Sequence, residues 1–269
     1  CNAVDYIGTH ADQLLRINNP TFGATGSFFS LNTGSQVPFT VVRVSPHAPA
    51  GSTTLYVGSA SGRLFRVEEA NTPVPVVQEI GSPAFPAASL SGIAVGSSED
   101  TLVVSFSNYG VPSVWVTSDG GEHWTNVEGN LPDMPVRWVL LHPQNDRQAM
   151  IATESGVWEC TDLCHPALGW LPVNTGMGNV RTDMLDIRSS DNTVLAATHG
   201  RGFFTMTWDL STGLNLPATE IVAGPNPTRG TFHIRLPHEK MDNLNAVVTG
   251  YDGRIILRQI VQTGEPAGY

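Results

Sequence analysis

The chain has 269 residues, enough for one or two domains with a sizeable core. Only 14% of them are charged, against about 25% in an average globular protein, and 41% are hydrophobic, which excludes disorder and a coiled coil. The net charge of −10, with no basic block, argues against nucleic acid as a main partner. No run of 18 apolar residues occurs, so no transmembrane segment is expected.

In chain order the first residues, Cys1-Asn2-Ala3-Val4, read as mid-domain sequence. A lipoprotein cysteine at Cys1 is the alternative to a chain cut within a repeat, and the repeats favour the cut. Tyr6-Ile7-Gly8-Thr9-His10 and Gln13-Leu14-Leu15-Arg16-Ile17 lie 50 residues before Tyr56 and Leu64 in a fuller unit. They match its second and third strands, with the innermost strand missing. Four fuller units follow. Their second strands begin at Leu55, Leu102, Ala149 and Val194, at intervals of 47, 47 and 45 residues. Each holds short β-rich runs bounded by Gly, Pro, Asn, Asp and Ser. A 40–50-residue period with three or four strands per unit marks a β-propeller blade. The expected fold is all-β: blades of four antiparallel strands over residues 1–208, forming the C-terminal part of a longer propeller in an open arc. The strands starting near Val41, Ile93, Val136 and Met184 should be innermost. Being nearly all apolar, they should be buried on both faces, while later strands alternate more.

Thr117-Ser118-Asp119-Gly120-Gly121-Glu122-His123-Trp124 resembles the Asp-box, or bacterial neuraminidase repeat, motif. Thr117, Asp119, Gly121 and Trp124 fit its pattern, and His123 replaces the usual Thr. The physics is local: the carboxylate accepts turn N–H groups, Gly permits an unusual φ, and Trp plugs the space between sheets. Trp170 is a remnant at the corresponding place of the next unit. Thr198-His199-Gly200-Arg201-Gly202 is similar to a stretch in the last blades of sortilin-like and xyloglucanase-like propellers. These resemblances imply the fold and leave the activity open.

Ligand sites in such a fold would lie on the links from outer strand to next inner strand and from second to third strand, the face opposite the Asp-box turn. Asp133, Glu154 and Asp183 are the acidic candidates there for a glycosidase carboxylate pair. Arg137, Arg181, His199, Arg201 and Tyr109 are candidates for ligand binding. A sialidase would also need an arginine cluster and a Tyr–Glu pair. No Ser/His/Asp triad motif, P-loop or dinucleotide fingerprint appears, so no cofactor is expected. Two function classes stand: a propeller that binds a glycan or an extracellular protein, which is favoured, and an extracellular glycoside hydrolase of xyloglucanase-like or exo-sialidase-like kind.

Cys160 and Cys164 lie four residues apart with only His165 nearby, too few ligands for zinc. A short-loop disulfide is expected there, on a turn leaving a third strand; two free, partly buried thiols are the alternative.

After Trp208 the pattern changes. Residues 209–219 read as a linker and 220–269 as a small Ig-like β-sandwich. Pro225-Asn226-Pro227, Gly230 and Phe232, then Asp252-Gly253-Arg254 and Pro266-Ala267-Gly268-Tyr269, resemble the type IX secretion C-terminal sorting domain, with the closing strand missing. That resemblance implies the type IX secretion machinery of a Gram-negative bacterium as partner and an extracellular or outer-membrane surface-attached location.

Overall fold

The computed structural model describes residues 4–10, 12–18, 26–34, 36–81 and 83–210, and four strand segments within 222–261. No helix occurs among the described residues. The chain divides into two compact units, Cys1–Leu210 and Ser211–Tyr269.

The first unit is five antiparallel meanders in chain order. Strands β1 (Val4–His10), β2 (Gln13–Asn18) and β3 (Gly26–Ser30) form the first sheet. Strands β4 (Phe39–Val44), β5 (Leu55–Ser59), β6 (Leu64–Glu68) and β7 (Val76–Glu79) form the second. The third holds β8 (Leu90–Val95), β9 (Leu102–Phe106), β10 (Val114–Thr117) and β11 (Thr125–Asn126). The fourth holds β12 (Val136–His142), β13 (Asn145–Thr153), β14 (Gly156–Cys160) and β15 (Leu171–Pro172). The last described sheet has three strands, β16 (Thr182–Arg188), β17 (Thr193–Thr198) and β18 (Gly202–Thr207). The first strands β4, β8, β12 and β16 pack on one another in turn, as the inner strands of consecutive β-propeller blades do. The first sheet matches the expected partial unit. Asp12 and Gly62, 50 residues apart, both turn with positive φ (60° and 85°), and Leu14 and Leu64 are both fully buried.

A separate hydrophobic core fills each gap between sheets. In β9, Leu102, Val104 and Phe106 face the second sheet, while Val103 faces the fourth. Period-two alternation sends neighbouring residues to opposite faces, so one predominantly apolar strand serves two cores. This corrects one expectation. It is the second strands β5 and β9 that are buried along their whole length, whereas the inner strands β4 and β16 are partly exposed. A second strand has a neighbour on each edge and, within the run, a sheet on each face. On β16–β18 the side bearing Met184, Leu195 and Phe203 is exposed.

The gaps between blades are also stitched by indole groups. Trp124 Nε1 donates to the Ile80 carbonyl (2.8 Å), and Trp170 Nε1 donates to the Val127 carbonyl (2.9 Å). Each acceptor follows the outer strand of the preceding blade.

In the second unit β19 (Val222–Gly224) pairs with β20 (His233–Arg235), and β21 (Leu244–Thr249) pairs with β22 (Ile255–Val261), both antiparallel. The sorting-motif residues Pro225, Asn226, Pro227, Gly230 and Phe232 lie outside the described residues.

Trp170 has no exposed surface. Trp170→Ala is expected to cost about 3–5 kcal/mol of unfolding free energy by urea denaturation. Trp170→Tyr, which keeps a ring and can still donate, should cost clearly less.

Candidate functional site

Every inner strand of the four-blade run carries a β-bulge at one equivalent place. The register shifts between Phe39 and Val41, Leu90 and Gly92, Val136 and Trp138, and Thr182 and Met184. The extra residues are Thr40, Ser91, Arg137 and Asp183, at intervals of 51, 46 and 46 residues. A bulge leaves one residue out of the ladder and re-aims its side chain. The first three of these side chains reach the next blade. Thr40 Oγ1 donates to the Leu90 carbonyl (2.6 Å), and Ser91 Oγ donates to the Val136 carbonyl (2.5 Å). Arg137 Nε lies 3.8 Å from Asp183 Oδ1.

The last of these steps opens into a charged cluster. Arg137 donates from Nε to Glu154 Oε1 (2.7 Å), and its Nη2 meets the same oxygen. Arg181 Nε donates to Asp183 Oδ1 (2.7 Å), which raises the Arg181 pKa through that hydrogen bond. His199 Nδ1 stands 3.5 Å from Asp183 Oδ2, and the His199 N–H donates to the Arg181 carbonyl (2.8 Å). Four chain segments meet here: the starts of β12 and β16 and the β13–β14 and β17–β18 turns. Arg137 and Glu154 are about one-quarter exposed and His199 mostly exposed (25%, 24% and 70%), so the cluster is open to a ligand.

Five of the eight candidate residues on this face are therefore brought together. The other three are not part of this network. Asp133 Oδ1 accepts the Gly110 N–H (2.6 Å), which fixes the turn beside the exposed Tyr109. Arg201 Nη1 donates to the Met177 carbonyl (3.0 Å). Thr40 and Ser91 had no signal as single residues, since Ser and Thr in strands are ordinary; their recurrence in step with Arg137 and Asp183 is the only trace.

Thr117, Asp119, Gly121 and Trp124 form one turn at the opposite end of the blades. Thr117 Oγ1 donates to Asp119 Oδ1 (2.7 Å), which also accepts the His123 N–H (2.9 Å); His123 Nδ1 lies 2.7 Å from Asp119 Oδ2. His123 thus holds the turn through both its backbone N–H and its ring. Gly121 has φ +99°, and a Cβ there would stand 2.9 Å from the Ile80 Cβ. The His123 N–H, the Thr117 hydroxyl and the His123 ring, in that order, hold the Asp119 pKa far below the ordinary carboxylate range.

The expected disulfide is not formed: Cys160 and Cys164 are both free thiols. Cys160 ends β14 with its side chain in the core between the third and fourth sheets, whereas Cys164 is exposed on the turn beyond. Spacing placed both on one turn but not which way each faces. Burial pushes the Cys160 pKa up to about 11.

No family model matches the chain, and no curated protein matches it. Among solved structures, the β-propeller domain of Cps50 (Swd1) from Myceliophteria thermophila is 16% identical, with a TM-score of 0.44 over 60% of this chain and 49% of that one. The GH74 enzyme of Niastella koreensis is 17% identical, with a TM-score of 0.47 over 76% of this chain and 33% of that one. The C-terminal WD40 domain of Sif2 is 12% identical, with a TM-score of 0.49 over 76% of this chain and 54% of that one. The matches span between one-third and about half of those structures.

Two measurements check this description. A carboxylate with a depressed folded pKa stabilises the fold above its unfolded value and stops doing so as pH falls through the folded one. Asp119→Asn should therefore lower the urea midpoint fully above about pH 4, with the gap from the parent shrinking below that. In a Cys1→Ser background, a thiol reagent at pH 8 should label Cys164 in the native protein and Cys160 only after unfolding.

Proposed function

We propose that this chain belongs to a secreted or surface-attached β-propeller protein that binds an extracellular glycan or protein ligand through Arg137, Glu154, Arg181, Asp183 and His199. The observation that carries this reading is their convergence from four chain segments into one open polar cluster. Such a group, set on strand ends rather than long loops, is held in place before a ligand arrives. The cluster lies at the end of the blades away from the turn of Thr117, Asp119, Gly121 and Trp124. That turn's hydrogen bonds support the Asp-box reading and a structural role for it.

Glycoside hydrolysis is the second reading, favoured by Glu154 and Asp183 flanking one guanidinium. It is the weaker one, because both carboxylates are held by arginine, Glu154 by Arg137 and Asp183 by Arg181, rather than facing each other across an open cleft. The likeness of the tail to type IX sorting domains supports export across the outer membrane, with the second unit as the address.

On a glycan array and against candidate surface proteins, Arg137→Met is expected to weaken binding about tenfold or more without loss of folded structure. Xyloglucan and aryl sialosides should not be hydrolysed; turnover abolished by both Glu154→Gln and Asp183→Asn would replace binding with catalysis. For export, deleting the stretch from Ile221 onward in the parent gene should leave the protein in the periplasm. Undiminished arrival at the surface would remove the sorting role.

A further inference from the structure

A second site lies on the same end of the blades, built from residues the cluster does not use. A cleft of about 360 Å³ opens between the β5–β6 hairpin and the link from β7 to β8, lined by Ser61, Gly62, Arg63, Glu79, Phe85 and Ala87 among others. Its shape depends on Gly62. That residue has φ +85°, and a Cβ there would stand 2.2 Å from the Pro86 carbonyl oxygen, so only glycine lets the link lie against the hairpin.

One wall is a locked ion pair. Arg63 donates from Nε and Nη2 to the two oxygens of Glu79 (2.9 and 2.7 Å) and from Nη1 to the Thr33 carbonyl (3.0 Å). Its guanidinium carbon sits 4.7 Å from the centre of the Phe65 ring. A guanidinium has five N–H groups, so these bonds leave one on each Nη, and each Glu79 oxygen keeps acceptor capacity. The facing wall is apolar and rigid: the Phe85 ring is wedged 5.4 Å from Phe106, 5.4 Å from Trp115 and 5.0 Å from Trp124. Pro83 and Ala87 extend it.

We infer that this cleft is a binding site for a neutral sugar ring, in which a vicinal diol bridges Arg63 and Glu79 and the C–H face of the ring rests on Phe85. A hydroxyl both donates and accepts, so a diol matches a wall that offers both. An anion would be drawn to Arg63 but repelled by Glu79, whose charge already balances it. A purely apolar ligand would leave the polar wall unsolvated. The volume suits one ring rather than an extended chain.

The test is ligand-observed saturation-transfer NMR on the whole chain. The probes are methyl β-D-glucopyranoside, methyl β-D-galactopyranoside, methyl α-D-mannopyranoside and sodium glucuronate. At least one neutral glycoside should bind, and more tightly than glucuronate. Ala87→Trp fills the cleft from an exposed position and should weaken that binding about tenfold or more; Arg63→Lys, which loses the planar fork, should weaken it too. Val74→Ser, an exposed change outside both the cleft and the charged cluster, should leave it unchanged. Failure of all three glycosides to bind, a preference for glucuronate, or binding that survives both cleft variants would overturn the assignment.

Discussion

Each inner strand of the four-blade run carries one residue too many, and that surplus ties each blade to the next. Were the ladders regular, Thr40, Ser91, Arg137 and Asp183 would be ordinary members of their strands. Left out by the bulge, Thr40, Ser91 and Arg137 turn toward the following blade, where two meet a carbonyl and the third meets the Asp183 carboxylate. Apolar burial supplies most of the cohesion between sheets, but it is non-directional. A hydrogen bond of defined length sets how far one blade is displaced along its neighbour. The charged cluster depends on that setting, since its members come from two blades and a slip of one residue would part Arg137 from Asp183.

The chemistry changes along this series. In the earlier blades a hydroxyl meets a main-chain carbonyl, which is a closed and purely structural contact. At β12 the hydroxyl is replaced by Arg137, and at β16 by Asp183. A stitch that once ended on backbone now ends on side chains with capacity to spare. The neighbouring turns add Glu154, Arg181 and His199. The same bulge thus serves cohesion in one half of the run and recognition in the other, which accords with the frequent occurrence of bulges at barrel rims and beside binding sites.

Much of this was legible in the sequence because it is periodic. The 45–50-residue recurrence of apolar runs located the blades, and the Gly-rich turns located the hairpins that carry Glu154 and His199. The Thr117–Trp124 turn was legible because the bonds among Thr117, Asp119 and His123 are local. What stayed hidden depended on partners far along the chain. A bulge exists only relative to its neighbour strand, so nothing in Thr40 or Ser91 announces it. Complete burial of β5 and β9 reflects sheets on both faces, a property of the stack rather than of the strand. Cys160 and Cys164 show the same limit: four residues fix their proximity, but the core decides that one faces in and the other out. The Arg63–Glu79 cleft was missed because the pair is sixteen positions apart and meets only through the pairing of β6 with β7.

The claim that the bulge residues couple neighbouring blades is tested most directly by amide hydrogen–deuterium exchange in Ser91→Ala. Ser91 bonds within its own blade to Ser105 and across to Val136. The account predicts faster exchange in β8 and β9 and also at Arg137 and Trp138 in the next blade, with the second sheet's β5–β6 pairing unchanged. An effect confined to residues 90–106 would mean that the blades are held together by their apolar cores alone, and would contradict it.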